Sequence, residues 1–218
     1  MHRGILLLAL LLASCVGDDR HDRPVIRERK SGPITLNRPT PRETQQCFAD
    51  LSRERIRFSP LPDRDFGSGC IVTGAVQLLD IGVPVTNLKS MRCPLARNFT
   101  AWVRFAVAPA AKQMLGSELV RVESFGTYSC RAIIGGSSGR MSEHGLGNAV
   151  DVGGFVLADG RKIRVETGWK SDDPAVRAFF RTIHNSACRR FRTVLGPDYN
   201  AAHYNHLHLD MGRGPFCA

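Results

Sequence analysis

Three of the chain's seven histidines fall close together near the C-terminus, at His203, His206 and His208. The alternation in His206-Leu207-His208-Leu209-Asp210 predicts a strand, in which residues two apart share a face. His206, His208 and Asp210 then project to one side, and Leu207 and Leu209 pack on the other. A second alternating run, Ala149-Val150-Asp151-Val152, sets Asp151 against two valines. A carboxylate in so apolar a strand is costly to bury unless a charge compensates it, and a metal ion would do so. His144 lies seven residues before Asp151, in Ser142-Glu143-His144-Gly145-Leu146-Gly147 at the mouth of that strand. Two imidazoles and a carboxylate from separate segments, with a fourth position open to water, form the plan of a catalytic zinc centre (Zn2+). Each histidine taken singly reads as a core or surface residue. The coincidence of a His, an Asp and a His-x-His strand is what points to a metal.

The elements that must hold these residues are partly legible. An amphipathic segment runs from Cys47 to Ile56, and a strand is expected from Ile71 to Leu79. Cys93-Pro94 opens a helix whose Leu95, Phe99, Trp102, Val103 and Ala106 recur at helical spacing, and Pro109 should kink or restart it. Leu119 to Glu123 reads as a strand. Asp159-Gly160, between Phe155-Val156-Leu157 and Ile163-Arg164-Val165, is a hairpin signal. Ser171 and Asp172 before Pro174 mark the start of a helix with Val176, Phe179, Phe180, Ile183 and Ala187 on its inner face. Gly135-Gly136-Ser137-Ser138-Gly139 lacks the lysine and spacing of a phosphate loop and reads as a flexible rim.

The chain has 218 residues, 43% of them apolar and 23% charged, enough for one full-sized core. No run approaches the roughly 20 apolar residues of a spanning helix. His2 and Arg3 precede an apolar run, Ile5 to Ala13, with the charged start and short length of a secretory signal. Its close, Leu12-Ala13-Ser14-Cys15, resembles a bacterial lipobox, with residues 1–14 removed and Cys15 carrying the lipid. An ordinary signal peptide cut near Ala13 is the other reading, and both export the chain. From Val16 to about Glu43 the sequence is rich in charge and proline, so residues 15–43 read as a flexible tether and 44–218 as the folded domain. Of seven cysteines, lipidation of Cys15 leaves Cys47, Cys70, Cys93, Cys130, Cys188 and Cys217. In an oxidising compartment these are expected to form three disulfides, with the pairing open and no thiol left for a metal. The formal charge of +10 falls to +9 once residues 1–14, which hold one arginine, are removed. Such a balance suits an acidic polymer such as anionic lipid or cell wall. With no basic stripe interleaved with aromatics and no recognisable motif, nucleic acid is not an expected partner.

The spacing Ser142-x-His144-x-x-Gly147-x-Ala149-x-Asp151, followed by His206-x-His208, resembles the signature of the zinc peptidases grouped with lysostaphin, the D-Ala-D-Ala carboxypeptidases and dipeptidases, and the hedgehog signalling domain. The added His203, giving His-x-x-His-x-His, is similar to the penicillin-insensitive murein endopeptidases of that group. The stretch from Tyr128-Ser129-Cys130-Arg131 to the closing Asn200–Asp210 resembles the extensin-like C-terminal family over roughly residues 45 to 217.

The resemblance implies an α+β fold: a small, mostly antiparallel sheet bearing the zinc site, flanked by helices. It implies His144, Asp151 and His208 as zinc ligands, and His206, assisted by His203, as base or oxyanion stabiliser. Arg131 is a candidate for gripping a substrate carboxylate, since its planar fork binds one bidentately. A structural salt bridge is the competing reading of Arg131. Ser142 is a candidate for orienting a ligand or substrate, and Asp210 for holding a histidine tautomer. Dipeptidases of the group place a glutamate three residues before the last ligand, where this chain has Asn205. The base must then be His206 or His203, or a carboxylate such as Glu143 or Glu166. The implied function is a periplasmic, membrane-anchored zinc peptidase acting on peptidoglycan stem peptides or cross-links, of D,D-endopeptidase or carboxypeptidase type. The alternative is a cell-wall-binding or scaffolding lipoprotein that keeps zinc only for stability.

Overall fold

A computed structural model describes residues 38–133 and 140–218. The expected signal segment 1–14, the lipidation candidate Cys15, the expected tether up to residue 37 and the glycine-rich loop Gly135–Gly139 lie outside the described residues. The first helix starts slightly before the expected boundary at residue 44. Helix α1 spans Pro41–Arg53, and Thr40 and Glu43 cap it reciprocally, each side chain taking a backbone N–H of the other. Residues 40–43 therefore belong to the fold and not to the tether.

The chain then forms β1 (Arg57–Pro60), β2 (Arg64–Asp65), β3 (Ile71–Val72), β4 (Ala75–Asp80) and β5 (Met91–Arg92). The single strand expected over 71–79 is two strands. Gly74, at φ +58°, breaks it, so β3 pairs with β2 in a small hairpin while β4 lies between β1 and β5 in a three-stranded antiparallel sheet. Helix α2 (Cys93–Trp102) passes through a π-helical turn (Val103–Val107) into α3 (Ala108–Leu115). The expected disturbance at Pro109 takes this form because proline lacks an N–H and crowds the carbonyl four residues back, and a wider turn relieves both.

The sheet that matters for the site is built from β6 (Leu119–Gly126), β7 (Ala149–Leu157), β8 (Lys162–Arg164), β9 (Thr193–Leu195), β10 (Leu207–Asp210) and β11 (Phe216–Cys217). Its order is β11-β9-β10-β7-β6, with β8 hairpinned onto β7. All pairings are antiparallel except β11 with β9. The predicted strand at Ala149–Val152 and the first arm of the predicted hairpin, Phe155–Leu157, are one nine-residue strand. Between β8 and β9 lie a short helix α4 (Val165–Gly168) and α5 (Pro174–Cys188). The Asp173 carboxylate caps α5, accepting from the N–H of Ala175 at 2.8 Å.

One face of this sheet supplies Val150, Val152, Leu207, Leu209 and Val194 to a core shared with Phe99, Trp102, Phe179, Phe180 and Ile183 of the helices. Trp102 ties α2 to α5 by donating its indole N–H to the Ile183 carbonyl at 2.9 Å. The fold is thus a mixed α+β arrangement of small, mostly antiparallel sheets and helices, as the resemblance implied. The six cysteines pair as Cys47–Cys93, Cys70–Cys130 and Cys188–Cys217. Cys70–Cys130 joins the small β2–β3 hairpin to the segment that follows β6, across 60 residues of sequence. In the chain-entropy view a loop of that length contributes about 4 kcal/mol.

Candidate metal centre

The other face of the large sheet is polar at one spot. In the antiparallel pairing of β10 with β7, His208 sits directly opposite Asp151. Cross-strand neighbours bring their side chains within a few ångströms of each other, and a one-residue slip would turn both to the wrong face. His208 Nδ1 lies 2.9 Å from Asp151 Oδ1. His144 comes from outside the sheet, in a 3₁₀ turn (Glu143–Leu146) that leads into β7. Ser142 caps this turn by accepting the His144 N–H at 3.3 Å, and Gly147 closes it in the left-handed conformation. His144 Nε2 then lies 3.1 Å from Asp151 Oδ2 and 3.2 Å from His208 Nδ1.

The backs of both rings are engaged. His144 Nδ1 faces the Thr127 carbonyl at 3.2 Å, and His208 Nε2 faces Asp210 Oδ2 at 3.1 Å. A carbonyl and a carboxylate only accept, so each of those nitrogens carries the ring's proton. His144 Nε2 and His208 Nδ1 therefore turn lone pairs toward each other and toward the Asp151 carboxylate. Such a set needs a cation among its members. A proton can serve: burial pushes the His208 imidazole down, but hydrogen bonds to Asp151 and Asp210 outweigh burial and raise it to about 9. Burial would likewise raise the Asp151 carboxyl, yet the bonds to His144 and His208 hold it far below the usual range.

A divalent cation fits the same place in exchange for the proton. Ligand atoms about 2.0 Å from a tetrahedral zinc stand about 3.3 Å apart, close to the separations of 2.9 to 3.2 Å among these three groups. Asp210 and the Thr127 carbonyl supply the outer hydrogen bonds that metal-binding histidines characteristically make. Asp210→Asn, which keeps the shape and removes the charge behind His208, should weaken zinc affinity about 10- to 100-fold in a chelator competition titration.

His203 and His206 adjoin this cluster without joining it. His206 precedes β10, which begins one residue later than the alternation predicts, at Leu207. Its Nε2 is 3.6 Å from Asp151 Oδ1, and its Nδ1 donates to Asn205 Oδ1 at 2.9 Å. His203 closes a 3₁₀ turn capped by Asn200, whose Oδ1 accepts from His203 Nδ1 at 2.7 Å. Each ring thus has an asparagine fixing its tautomer and an Nε2 lone pair left over. Both stay neutral: burial and the neighbouring histidines push His203 down to about 4, and burial lowers His206 against the pull of Asp151. Each also meets an exposed aromatic ring, Phe125 against His206 at 5.8 Å and Tyr199 against His203 at 5.5 Å between centroids.

Of the other predicted residues, Arg131 is half-buried, and its charge bears on both His203 and His206. No described residue pairs with its guanidinium in a salt bridge. Ser142 is buried, and its hydroxyl accepts the His144 N–H, so it holds the turn that carries that histidine. Glu143 accepts from Asn148 at 2.7 Å, and burial raises its carboxyl. It lies on the Asp210 side of the cluster, whereas Glu166 is exposed on α4. The Thr127 carbonyl and the orienting roles of Asn200 and Asn205 were missed by sequence reasoning. Nothing marks a backbone carbonyl in a sequence, but the asparagines, three and one residues before their histidines, were a readable sign. A second group among the described residues, His184, Cys188 and Cys217, has its sulfurs joined in a disulfide and offers no thiolate.

These features define an α+β domain whose largest sheet carries a buried His–Asp–His cluster flanked by two neutral histidines. The chain belongs to the family described as Extensin-like protein C-terminus, which matches residues 45–218. No curated protein and no solved structure is a match for the chain.

Proposed function

We propose that this protein is an exported zinc peptidase, related to the lysostaphin and D-Ala-D-Ala peptidase group, that cleaves peptidoglycan stem peptides or their cross-links. The observation that carries the reading is the convergence of His144 Nε2, the Asp151 carboxylate and His208 Nδ1 within 3.2 Å, each imidazole lone pair aimed by a second partner behind its ring. A zinc ion held by these three groups would polarise a peptide carbonyl and lower the pKa of bound water toward neutrality. His206 presents an unprotonated Nε2 beside the carboxylate, so it acts first as proton acceptor and then as donor to the leaving amine. Asn205, at the position of the dipeptidases' glutamate, holds that tautomer. His203 stands 5.1 Å from His206 between ring centroids and is a second acceptor of the same kind. Arg131 would take a substrate carboxylate through its fork. The three disulfides suit an oxidising compartment, and the net basic charge suits an acidic wall reached from a lipid on Cys15.

The absence of a glutamate base favours one other reading, a wall-binding lipoprotein stabilised by zinc. Mass analysis of a muropeptide panel incubated with the purified protein separates the two. The expected result is release of peptide or amino acid that chelator abolishes and zinc restores. Binding to sacculi with no product from any D-amino-acid-containing muropeptide would overturn the peptidase.

A further inference from the structure

Phe125 is not accounted for by the metal cluster or by the core. It is 56% exposed in a domain that buries Phe99, Phe155, Phe179 and Phe180 completely. Its position is nonetheless built. Register shifts at the end of β6, on either side of Ser124, set Phe125 over β7, and the Ser124 hydroxyl secures the bend by accepting from the Gly126 N–H at 2.9 Å. Beneath the ring is Gly153, on the same face of β7 as Asp151. A Cβ at Gly153 would stand 2.4 Å from Phe125 Cε1, so only glycine lets the ring lie there. On its inner side the ring meets His206 edge to face.

The mouth of the site therefore has an aromatic wall against His206 and, within electrostatic reach of the same histidine, the Arg131 guanidinium. We infer that Phe125 is a specificity-determining residue, the apolar wall that receives the small side chain of the substrate residue beside the scissile bond, with Gly153 making room for it. The inference rests on the peptidase reading above and adds the kind of side chain the site selects. Apolar walls favour a methyl over a hydrogen, and one such group is worth roughly a factor of ten or more in kcat/KM. Alanine at that residue is thus preferred to glycine, and Arg131 adds a preference for a nearby free carboxylate.

Two peptides that differ only in alanine or glycine at the residue beside the cleaved bond form the test. Wild-type protein should prefer the alanine peptide about tenfold in kcat/KM, and Phe125→Ala should bring the ratio close to one while zinc content stays at the wild-type level. Gly153→Ala should lower the ratio in the same direction by displacing the ring, and Phe125→Leu should keep part of it. If Phe125 serves only to position His206, both peptides slow alike and the ratio persists, which overturns the inference and leaves the peptidase intact. If wild-type protein cleaves neither peptide, the peptidase reading fails, and the ratio of their dissociation constants then decides the wall. A ratio near tenfold in wild type that Phe125→Ala abolishes supports the wall, and equal or undetectable binding removes it.

Discussion

His208→Ala is expected to bring the zinc content of the purified protein from about one per chain to near zero, and cleavage to fall with it. Two losses combine. The variant lacks one of three ligand atoms, the one whose separations from His144 Nε2 and Asp151 Oδ1 are 3.2 and 2.9 Å. It also strips the buried Asp210 and the half-buried Asp151 of their shared partner, because His208 bridges the two carboxylates. Breaking buried ion pairs by removing one partner costs about 3–5 kcal/mol. A lower melting temperature should accompany the metal loss. Zinc should raise the melting temperature of the wild type through preferential binding to the folded state, and should leave that of the variant unmoved. Metal analysis by mass spectrometry and melting curves with and without zinc check both points. A folded His208→Ala protein with stoichiometric zinc would place the metal elsewhere.

His206→Ala has the second large effect, and its signature is the opposite. His206 Nε2 is 3.6 Å from Asp151 Oδ1 and stands outside the close set of three. Its removal should leave zinc at about one per chain. Turnover of a muropeptide substrate should fall about 10²- to 10⁴-fold, the range contributed by a positioned acid–base group, with KM changed much less. The ring leans on Phe125 and His203, so its loss opens a gap at the mouth and not in the core. Metal content measured beside kcat separates the two histidines. Zinc lost from His206→Ala but kept in His208→Ala would exchange their roles.

The geometry that separates the two histidines lies on a scale that alternation alone does not reach. The period-2 pattern put His206 and His208 on one face, and in the structure the two differ, one a residue before β10 and the other within it. The expected strand over 71–79 failed for a related reason. Its apolar residues lie on both sides of Gly74, which turns the chain, and the two pieces find different partners.

What the sequence determined by itself was local. Proline and helical spacing placed α2 and α5, alternation identified the two strands that carry Asp151 and His208, and an even set of six cysteines after Cys15 implied three bridges. Such signals follow from the geometry of a few consecutive residues, where side chains repeat every two or 3.6 positions. Tertiary structure decided which cysteines pair, which register joins β10 to β7, and which atoms face the cluster. His208 meets Asp151 across 57 residues, His144 takes its outer partner from the Thr127 carbonyl, and Phe125 lies on Gly153. Each of these depends on the fold as a whole, because a long-range contact is chosen by the packing of everything between its ends, and no periodicity in the intervening chain encodes it.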